Sequence, residues 1–325
     1  MRIPRAATPF ILLTGAVVFV LALAGGAVPL EGGLWHALFF PGPGRDILVD
    51  LRLPRVLLGG AVGALLATAG AGLQGLFRNP LADPYLLGVS GGAALGSVIG
   101  LLLGFAQPPA AVAGAVLSLG AVLVLARGDG WGGAPAATLM VLAGAALHAF
   151  TSSILAFILS QTRRQEGLGL LFWLLGSLEA PSYARLLPLL GLTALVLGGL
   201  FALAPTLNLL SLGDDPARSL GLDPTRVRWG FLLLTAAATG LAVTLNGVVP
   251  FVGLVVPHAA RLLAGYDHRR VLPLSAFLGA GLVVAADWIG RTARAPEEIP
   301  VGVVTALVGA PFFLILLRRE RNKLG

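Results

Sequence analysis

The chain has 325 residues, of which 57% are hydrophobic and 11% charged, with a mean hydropathy of +0.90 and a formal net charge of +7. Soluble domains carry roughly 25% charged residues, so this composition excludes an ordinary soluble protein and predicts a membrane protein with several spans. The absence of cysteine excludes disulfides, thiolate metal sites and cysteine nucleophiles, and the four histidines show no metal-ligand spacing.

Apolar stretches divide the chain into ten predicted transmembrane helices with no domain boundary, so residues 1–325 form one membrane domain. A spanning helix needs about 20 mostly apolar residues. The first stretch, after Arg2 and Arg5, is longer than the apolar region of a signal peptide and is interpreted as a spanning helix. The predicted spans are 8–28, 53–76, 86–105, 109–127, 136–160, 186–204, 229–247, 249–265, 272–290 and 300–317.

The distribution of positive charge predicts the orientation of these helices. An even number of spans places both termini on one side of the membrane. Of the 22 Arg and Lys residues, fourteen fall on the side of the termini and eight on the other, so both termini are predicted to be cytoplasmic. The basic residues stand singly between apolar runs, which fits control of topology rather than a surface for nucleic acid.

Several glycines follow patterns that predict close helix packing. Gly70, Gly72 and Gly75 match the dinucleotide fingerprint, but that fingerprint needs a strand before it and an acidic residue about 20 positions later. Here the glycines lie in an apolar helix, so no nucleotide site is expected. The third helix has a glycine every four residues from 88 to 104, which forms one stripe for a neighbouring helix. A shorter stripe on the second helix consists of Gly59, Gly63 and Ala67.

Proline interrupts the helical pattern at two places. In RNPLADP, residues 78–84, Pro80 and Pro84 exclude a continuous helix and Asn79 can close a turn. Residue types alone also leave a simple connecting loop open as the less favoured alternative. The predicted helix 249–265 is short and contains Pro250 and Pro257, so we expect it inside the bundle, where protein satisfies the freed backbone groups.

The segment LNLLSLGDDPARSLGLDPTRVRW, residues 207–229, combines polar and apolar residues on the predicted cytoplasmic side. It predicts two short surface helices, with Ser211 or Asp214 as the cap of the first and Gly221 at its end. Asp223 is the expected cap of the second, with Pro224 at its first position. Spacing alone does not distinguish a docking surface for another protein from an ordinary surface loop.

The residues give little sign of an energy source on this chain. A phosphate-binding Walker loop needs a lysine, and the only lysine is Lys323 in the tail. Ion coupling usually requires acids within the membrane, and Asp287 lies four residues before Arg291, where the two side chains can simply pair.

Four blocks in order resemble the FecCD family of permeases from ABC importers of ferric siderophores, haem and cobalamin. They are LRLPRVLLGGAVGALLATAGAGLQGLFRNPLADPYLLGVSGGAALG, LGDDPARSLGLDPTRVR, GVVPFVGLVVPHAARLLAGYDHRRVLPLSAFLGAGLVVAAD and EIPVGVVTALVGAPFFLILL. The resemblance runs from about Leu51 to the C-terminus. It implies the all-α type II ABC importer permease fold of about ten helices. It also implies a homodimer in the bacterial inner membrane, with an ATPase dimer on the cytoplasmic side and a periplasmic or lipoprotein binding protein outside.

The resemblance also implies roles for individual residues. ATP and Mg²⁺ would bind the partner ATPase, so this chain would carry no cofactor or metal. Helices five and ten would line the pathway, whereas 128–135 and 161–181 match the family poorly. The ATPase-coupling residues, within a docking segment at about 207–228, would be Gly213, Asp214, Ala217, Leu220 and Gly221. The cytoplasmic gate would use Asn79, Leu81 and Thr138, and the binding protein would dock on Arg52, Arg55 and Arg291.

Two other functional classes compete with the importer permease. An ion-coupled secondary transporter would need no docking segment and would show inverted repeats with more buried acids. A membrane-embedded enzyme would need a convergent set of catalytic groups inside the bundle, and the sequence shows none. The transported chelate is not specified by any motif.

Overall fold

The computed structural model describes residues 7–85, 87–126 and 134–324, and within them the side chains of all residues except 7–8, 134–138, 164–166, 317 and 319–324. Every regular element in these residues is helical, and a π-helical turn at Ile47–Arg52 leads into the fourth α-helix. In chain order the α-helices are α1 (Ala7–Ala24), α2 (Gly33–Phe39), α3 (Pro43–Asp46), α4 (Leu53–Leu76), α5 (Val89–Leu102), α6 (Gln107–Leu125), α7 (Ala134–Gln161), α8 (Arg164–Leu174), α9 (Tyr183–Ala202), α10 (Ala204–Leu210), α11 (Asp214–Ser219), α12 (Pro224–Asn246), α13 (Val252–Ala264), α14 (His268–Thr292) and α15 (Val301–Leu324).

Each predicted span corresponds to one of these helices, namely α1, α4, α5, α6, α7, α9, α12, α13, α14 and α15. Among the described residues, six helical segments are long and apolar enough to cross a membrane, and four shorter apolar helices accompany them. The predicted all-α, multi-pass architecture is confirmed. The sequence prediction missed α2, α3, α8 and α10, because these short helices lack the length or the hydropathy of a span.

Helix α4 is the central helix, and its glycines allow three neighbouring helices to approach its backbone. A Cβ atom on Gly70 would overlap the backbone of α13, and one on Gly72 would overlap the ring of Phe231 in α12. A Cβ atom on Gly75 would meet the imidazole of His268 at the start of α14. The glycines that match the dinucleotide fingerprint therefore serve helix packing, as predicted.

The glycine stripe of α5 packs against α6. A Cβ atom on Gly92 would lie 2.5 Å from the carbonyl oxygen of Gly114, and one on Gly96 would overlap the carbonyl oxygen of Ala110. Gly100 faces the Ala110 side chain in the same way, at 2.6 Å. The predicted packing role is confirmed for these three positions. The outermost members of the stripe, Gly88 and Gly104, instead lie at the helix ends with positive φ.

Helix α8 and the turn after it lie within residues 161–181. The turn at Gly176 has φ +84°, and its carbonyl oxygen accepts a hydrogen bond of 2.7 Å from the backbone N–H of Val301. A Cβ atom on Gly176 would lie 2.7 Å from the carbonyl oxygen of Val248. This backbone-to-backbone contact seats the end of α8 against the start of α15 and against the non-helical stretch 247–251.

Helix α13 begins after that non-helical stretch and packs against α4, α14 and α15. The residue before it, Phe251, has φ +68°, and most of the first turns of α13 are buried. Pro257 lies within the helix at a buried position. The predicted placement of this short, proline-containing helix inside the bundle is confirmed.

Candidate functional site

The docking segment, residues 207–228, contains the end of α10, the whole of α11 and the start of α12. Gly213 precedes α11 with φ +120°, a conformation that favours glycine. At the other end of α11, Gly221 has φ +80° and donates to the carbonyl oxygen of Arg218 at 2.9 Å, while Leu222 N–H donates to that of Ala217 at 3.0 Å. These paired hydrogen bonds form a Schellman motif, so Gly221 ends α11 as predicted.

Exposure within the docking segment separates packing residues from surface residues. Leu220 has 61% of its surface exposed, whereas Ala217 is completely buried beside Leu222. Ala217 therefore packs α11 onto the bundle, because it lies on the inner side of this short helix, and its ATPase-coupling role stays a prediction. Leu212, which the sequence prediction did not single out, is 62% exposed and lies on the other side of α11 from Leu220 in the chain. The sequence feature that could have identified this surface is a leucine in each of two otherwise polar turns.

Asp214 ties α11 to α12 rather than capping α11. Its carboxylate accepts two hydrogen bonds from the guanidinium of Arg228, at 2.9 and 2.5 Å. These hydrogen bonds lower the pKa of the Asp214 carboxyl. The expected caps are partly corrected: Gly213 is the N-cap of α11, and the Ser211 hydroxyl donates to the Asn208 carbonyl oxygen at 2.6 Å.

The cap predicted at Asp223 is confirmed. Its carboxylate accepts hydrogen bonds from Thr225 N–H at 3.0 Å and Arg226 N–H at 3.3 Å, and Pro224 occupies the first helical position. The expected second short helix is wrong, however, because α12 runs without a break from Pro224 to Asn246 and is itself the spanning helix.

The gate loop, residues 79–84, forms a compact turn at the same end of the bundle. The Asn79 side-chain oxygen accepts a hydrogen bond from Leu81 N–H at 2.9 Å, and the Asn79 carbonyl oxygen accepts one from Ala82 N–H at 3.1 Å. Asn79 and Leu81 are both half-buried. Thr138, the third predicted gate residue, lies in the first turns of α7, and its side chain is outside the described residues.

The gate loop continues into a buried contact with the stretch before α13. Tyr85 accepts a hydrogen bond of 2.7 Å on its hydroxyl oxygen from Val249 N–H. The Asp83 carboxylate accepts one of 2.7 Å from Tyr85 N–H, while its second oxygen is buried without a hydrogen-bond partner among the described residues. The sequence prediction missed both residues: Tyr85 joins the gate loop to the stretch before α13, and Asp83 holds the backbone N–H of Tyr85.

Two further contacts connect these segments with each other and with the turn between α13 and α14. The guanidinium of Arg78, next to the gate loop, donates to the carbonyl oxygen of Leu210 at the end of α10. The Asn208 amide donates to the Asp267 carboxylate at 2.8 Å, and its oxygen accepts from His268 N–H at 3.0 Å. The hydrogen bond from Asn208 lowers the pKa of Asp267. The docking segment and the gate loop are thus brought together.

At the opposite end of the bundle, two of the three predicted docking arginines are inside the protein. Arg52 and Arg291 are each 4% exposed. Arg52 donates to the carbonyl oxygens of Leu23 at 2.8 Å and Ala24 at 2.7 Å, and also to that of Val28. Arg291 donates to Ala22 at 3.0 Å and Gly25 at 3.3 Å. Both therefore satisfy carbonyl groups at and just beyond the end of α1, where helical hydrogen bonds run out.

Asp287 connects the third arginine to the same cluster. Its carboxylate accepts hydrogen bonds from Arg55 at 2.9 Å and from Arg291 at 2.8 Å, so the predicted pairing with Arg291 is confirmed. Arg55 also pairs with Glu298 at 2.8 Å and is 15% exposed. The prediction that Arg52 and Arg291 meet glutamates of a partner is corrected, because both guanidinium groups are occupied within the chain. Only Arg55 of the three reaches the surface.

Among the described residues, no three His, Asp or Glu side chains come close enough together to hold a metal ion. The chemistry at both ends of the bundle is instead that of ion pairs, caps and exposed leucines, which positions helices and offers contact surfaces.

Known transport proteins resemble this chain over most of its length. The model of the FecCD transport family matches residues 12–319. The cobalamin import system permease protein BtuC of Halobacterium salinarum is 40% identical over 90% of this chain and 77% of its own length. The hemin transport system permease protein HmuU of Yersinia pestis is 40% identical over 89% and 85%. A metal-chelate type ABC transporter solved in an inward-facing conformation superposes with a TM-score of 0.79 at 29% identity, covering 95% of this chain and 97% of its own.

Proposed function

Because the chain belongs to the FecCD transport family and is a permease subunit of an ABC importer, we propose that two copies form the translocation pathway for a metal chelate. The cargo class is that of cobalamin, haem or a ferric siderophore, in line with the names of the relatives. The pathway lies between the two copies in the bacterial inner membrane, with all termini in the cytoplasm.

The docking segment is the single observation that carries the proposal of a separate ATPase. It is rigidly attached to the bundle through Asp214 and Arg228, yet it presents Leu212 and Leu220 outward. On this anchored segment of an importer permease, the two exposed leucines support a contact surface for the ATPase. ATP and Mg²⁺ bind to that ATPase, and this chain contributes the docking segment and no cofactor.

Exposure of α7 supports the homodimer. It is the least buried of the six long apolar segments, and it presents Phe150 and Phe157 outward. A second copy covers part of this face and membrane lipid covers the remaining apolar faces. Helix α15, with Leu307 exposed, lines the pathway together with α7.

The binding protein docks at the opposite end of the bundle, outside the membrane. Since Arg52 and Arg291 are occupied, the charged surface available there includes Arg55 with Glu298 and the more exposed pair of Arg294 and Glu297. Charged pairs at the rim of an interface set the association rate and the register more than the affinity.

Reconstitution tests the proposal against an ion-coupled secondary transporter, which the comparisons do not favour. The chain, its ATPase and its binding protein are incorporated in proteoliposomes, and uptake of cyanocobalamin, hemin and ferric citrate is measured. We expect uptake of one of them to require ATP and to persist without an ion gradient. Uptake driven by a gradient in liposomes without the ATPase would contradict the proposal. The pairing of Asp287 with two arginines argues against that outcome.

A further inference from the structure

Arg78 connects the gate loop to the docking segment. It immediately precedes Asn79, and its guanidinium donates to the carbonyl oxygen of Leu210, the last residue of α10. Only three residues separate Leu210 from α11. We propose that Arg78 is the positioning residue through which a displacement of the docking segment moves the gate loop. This role rests on the proposed function of the docking segment and on the cytoplasmic gate role that the family resemblance implies for Asn79 and Leu81.

The backbone of Arg78 gives an independent reason to look for a role of its side chain. Its φ of +49° lies in the left-handed region, where residues with a Cβ atom are disfavoured and glycine is favoured. The turn at the end of α4 would therefore form more readily with glycine. The arginine is accounted for by its hydrogen bond to Leu210, because the turn itself gains nothing from the side chain.

The segments on either side of this contact are anchored separately. At the end of α4, the Gln74 amide donates to the carbonyl oxygen of Gly253 in α13 at 3.2 Å and accepts a hydrogen bond from Arg261. On the other side, Asn208 holds α10 to Asp267. Two anchored bodies joined by a hydrogen bond from a charged group transmit a displacement, whereas a flexible connection would absorb it.

Charge strengthens the same contact. The carbonyl groups at the end of a helix carry partial negative charge, which favours a cation such as the Arg78 guanidinium. Arg78 also lies near enough to Asp214 to help lower the pKa of that carboxyl. Arg78→Lys should therefore retain part of the contact, Arg78→Met should lose it while keeping the bulk, and Arg78→Gly should lose it while relieving the backbone.

The experiment uses a single cysteine at the gate loop of this cysteine-free chain. Leu81→Cys permease, in complex with its ATPase in liposomes, is labelled with a water-soluble maleimide with and without ATP and Mg²⁺. We expect nucleotide to change the labelling rate. Arg78→Gly and Arg78→Met should reduce that change by roughly tenfold, within the usual range of coupling between sites. Arg78→Lys should restore most of it. Arg269→Ala, at another exposed arginine at the same end of the bundle, is the matched control.

The outcomes separate the inference from the proposed function. A full nucleotide response in both Arg78→Gly and Arg78→Met would overturn the role of Arg78, as would loss of the ATPase from these complexes on co-purification. No response in Leu81→Cys itself, with the ATPase bound, would instead count against the gate loop. Thermal unfolding of each complex, expected to match that of the parent, shows that the fold is intact.

Discussion

Truncation of Leu220 should weaken ATPase binding without affecting the fold. Full burial of a leucine side chain contributes about 1.5–3 kcal/mol, and Leu220 leaves 61% of its surface for a partner to cover. Leu220→Ala should therefore cost about 1–2 kcal/mol of binding free energy, or roughly 5- to 30-fold in Kd. The Kd is measured by titrating labelled ATPase onto permease in nanodiscs. Leu212→Ala should give a loss of similar size, since 62% of that residue is exposed.

A matched control distinguishes docking from a general effect of leucine removal. Leu103, at the opposite end of the bundle, is 64% exposed, and Leu103→Ala should leave the ATPase Kd unchanged. Ala217→Glu provides the converse case, because it places a carboxylate in a fully buried site and should lower the melting temperature of the permease itself. If the Leu212→Ala, Leu220→Ala double variant bound ATPase as tightly as the parent, the docking surface would lie elsewhere.

Three further predictions concern the contacts that hold the fold and the outer surface. The pKa of Asp214 is lowered, so the stability from its ion pair with Arg228 is present above about pH 3.9 and is lost as the pH falls through the lowered value. Protonation of Asp214 should therefore leave ATPase binding unchanged between about pH 8 and pH 5, which titration by calorimetry measures. Gly96→Ala should destabilise the bundle by about 1–3 kcal/mol, whereas Gly120→Ala, where nothing lies within 4 Å of the new Cβ atom, should not lower the melting temperature. Arg52→Met should lower the melting temperature because carbonyl groups at and beyond the end of α1 lose their donor. Arg55→Glu should slow association of the binding protein, more at low salt than at high salt. Equal effects of the two variants on the association rate would contradict the assignment of Arg55, and not Arg52, to the docking surface.

The positions of the spanning helices could be predicted from the sequence, because lipid requires long apolar runs wherever a helix crosses the membrane. Helix α4 matches its predicted span of 53–76 at both ends. Helix α12 begins five residues before its predicted start, since Arg226 and Arg228 reduce hydropathy without ending the helix. Hydropathy reports depth in the membrane, whereas caps such as Asp223 report where a helix begins.

The roles of side chains at the candidate sites were less predictable, because they depend on which other segment lies nearby. An arginine at the end of a span has the same sequence context whether it faces water or satisfies the carbonyl groups of another helix, as Arg52 does for α1. Ala217 and Leu220 are three residues apart in one short segment, yet one faces the bundle and the other faces outward. Spacing identified the segment, and packing against α12 decided which of its faces is exposed.

The central position of α4 has a consequence for how the chain is assembled during synthesis. Its principal partners, α9, α12, α13 and α14, all follow it in the chain, and the last of them is completed roughly two hundred residues later. At about 5–20 residues per second, α4 waits on the order of 10–40 s in the bilayer with its glycine faces uncovered. A defect in α14, such as a side chain at Gly279 where it meets Gly63, should therefore appear first as degradation of newly made chains rather than as an inactive transporter.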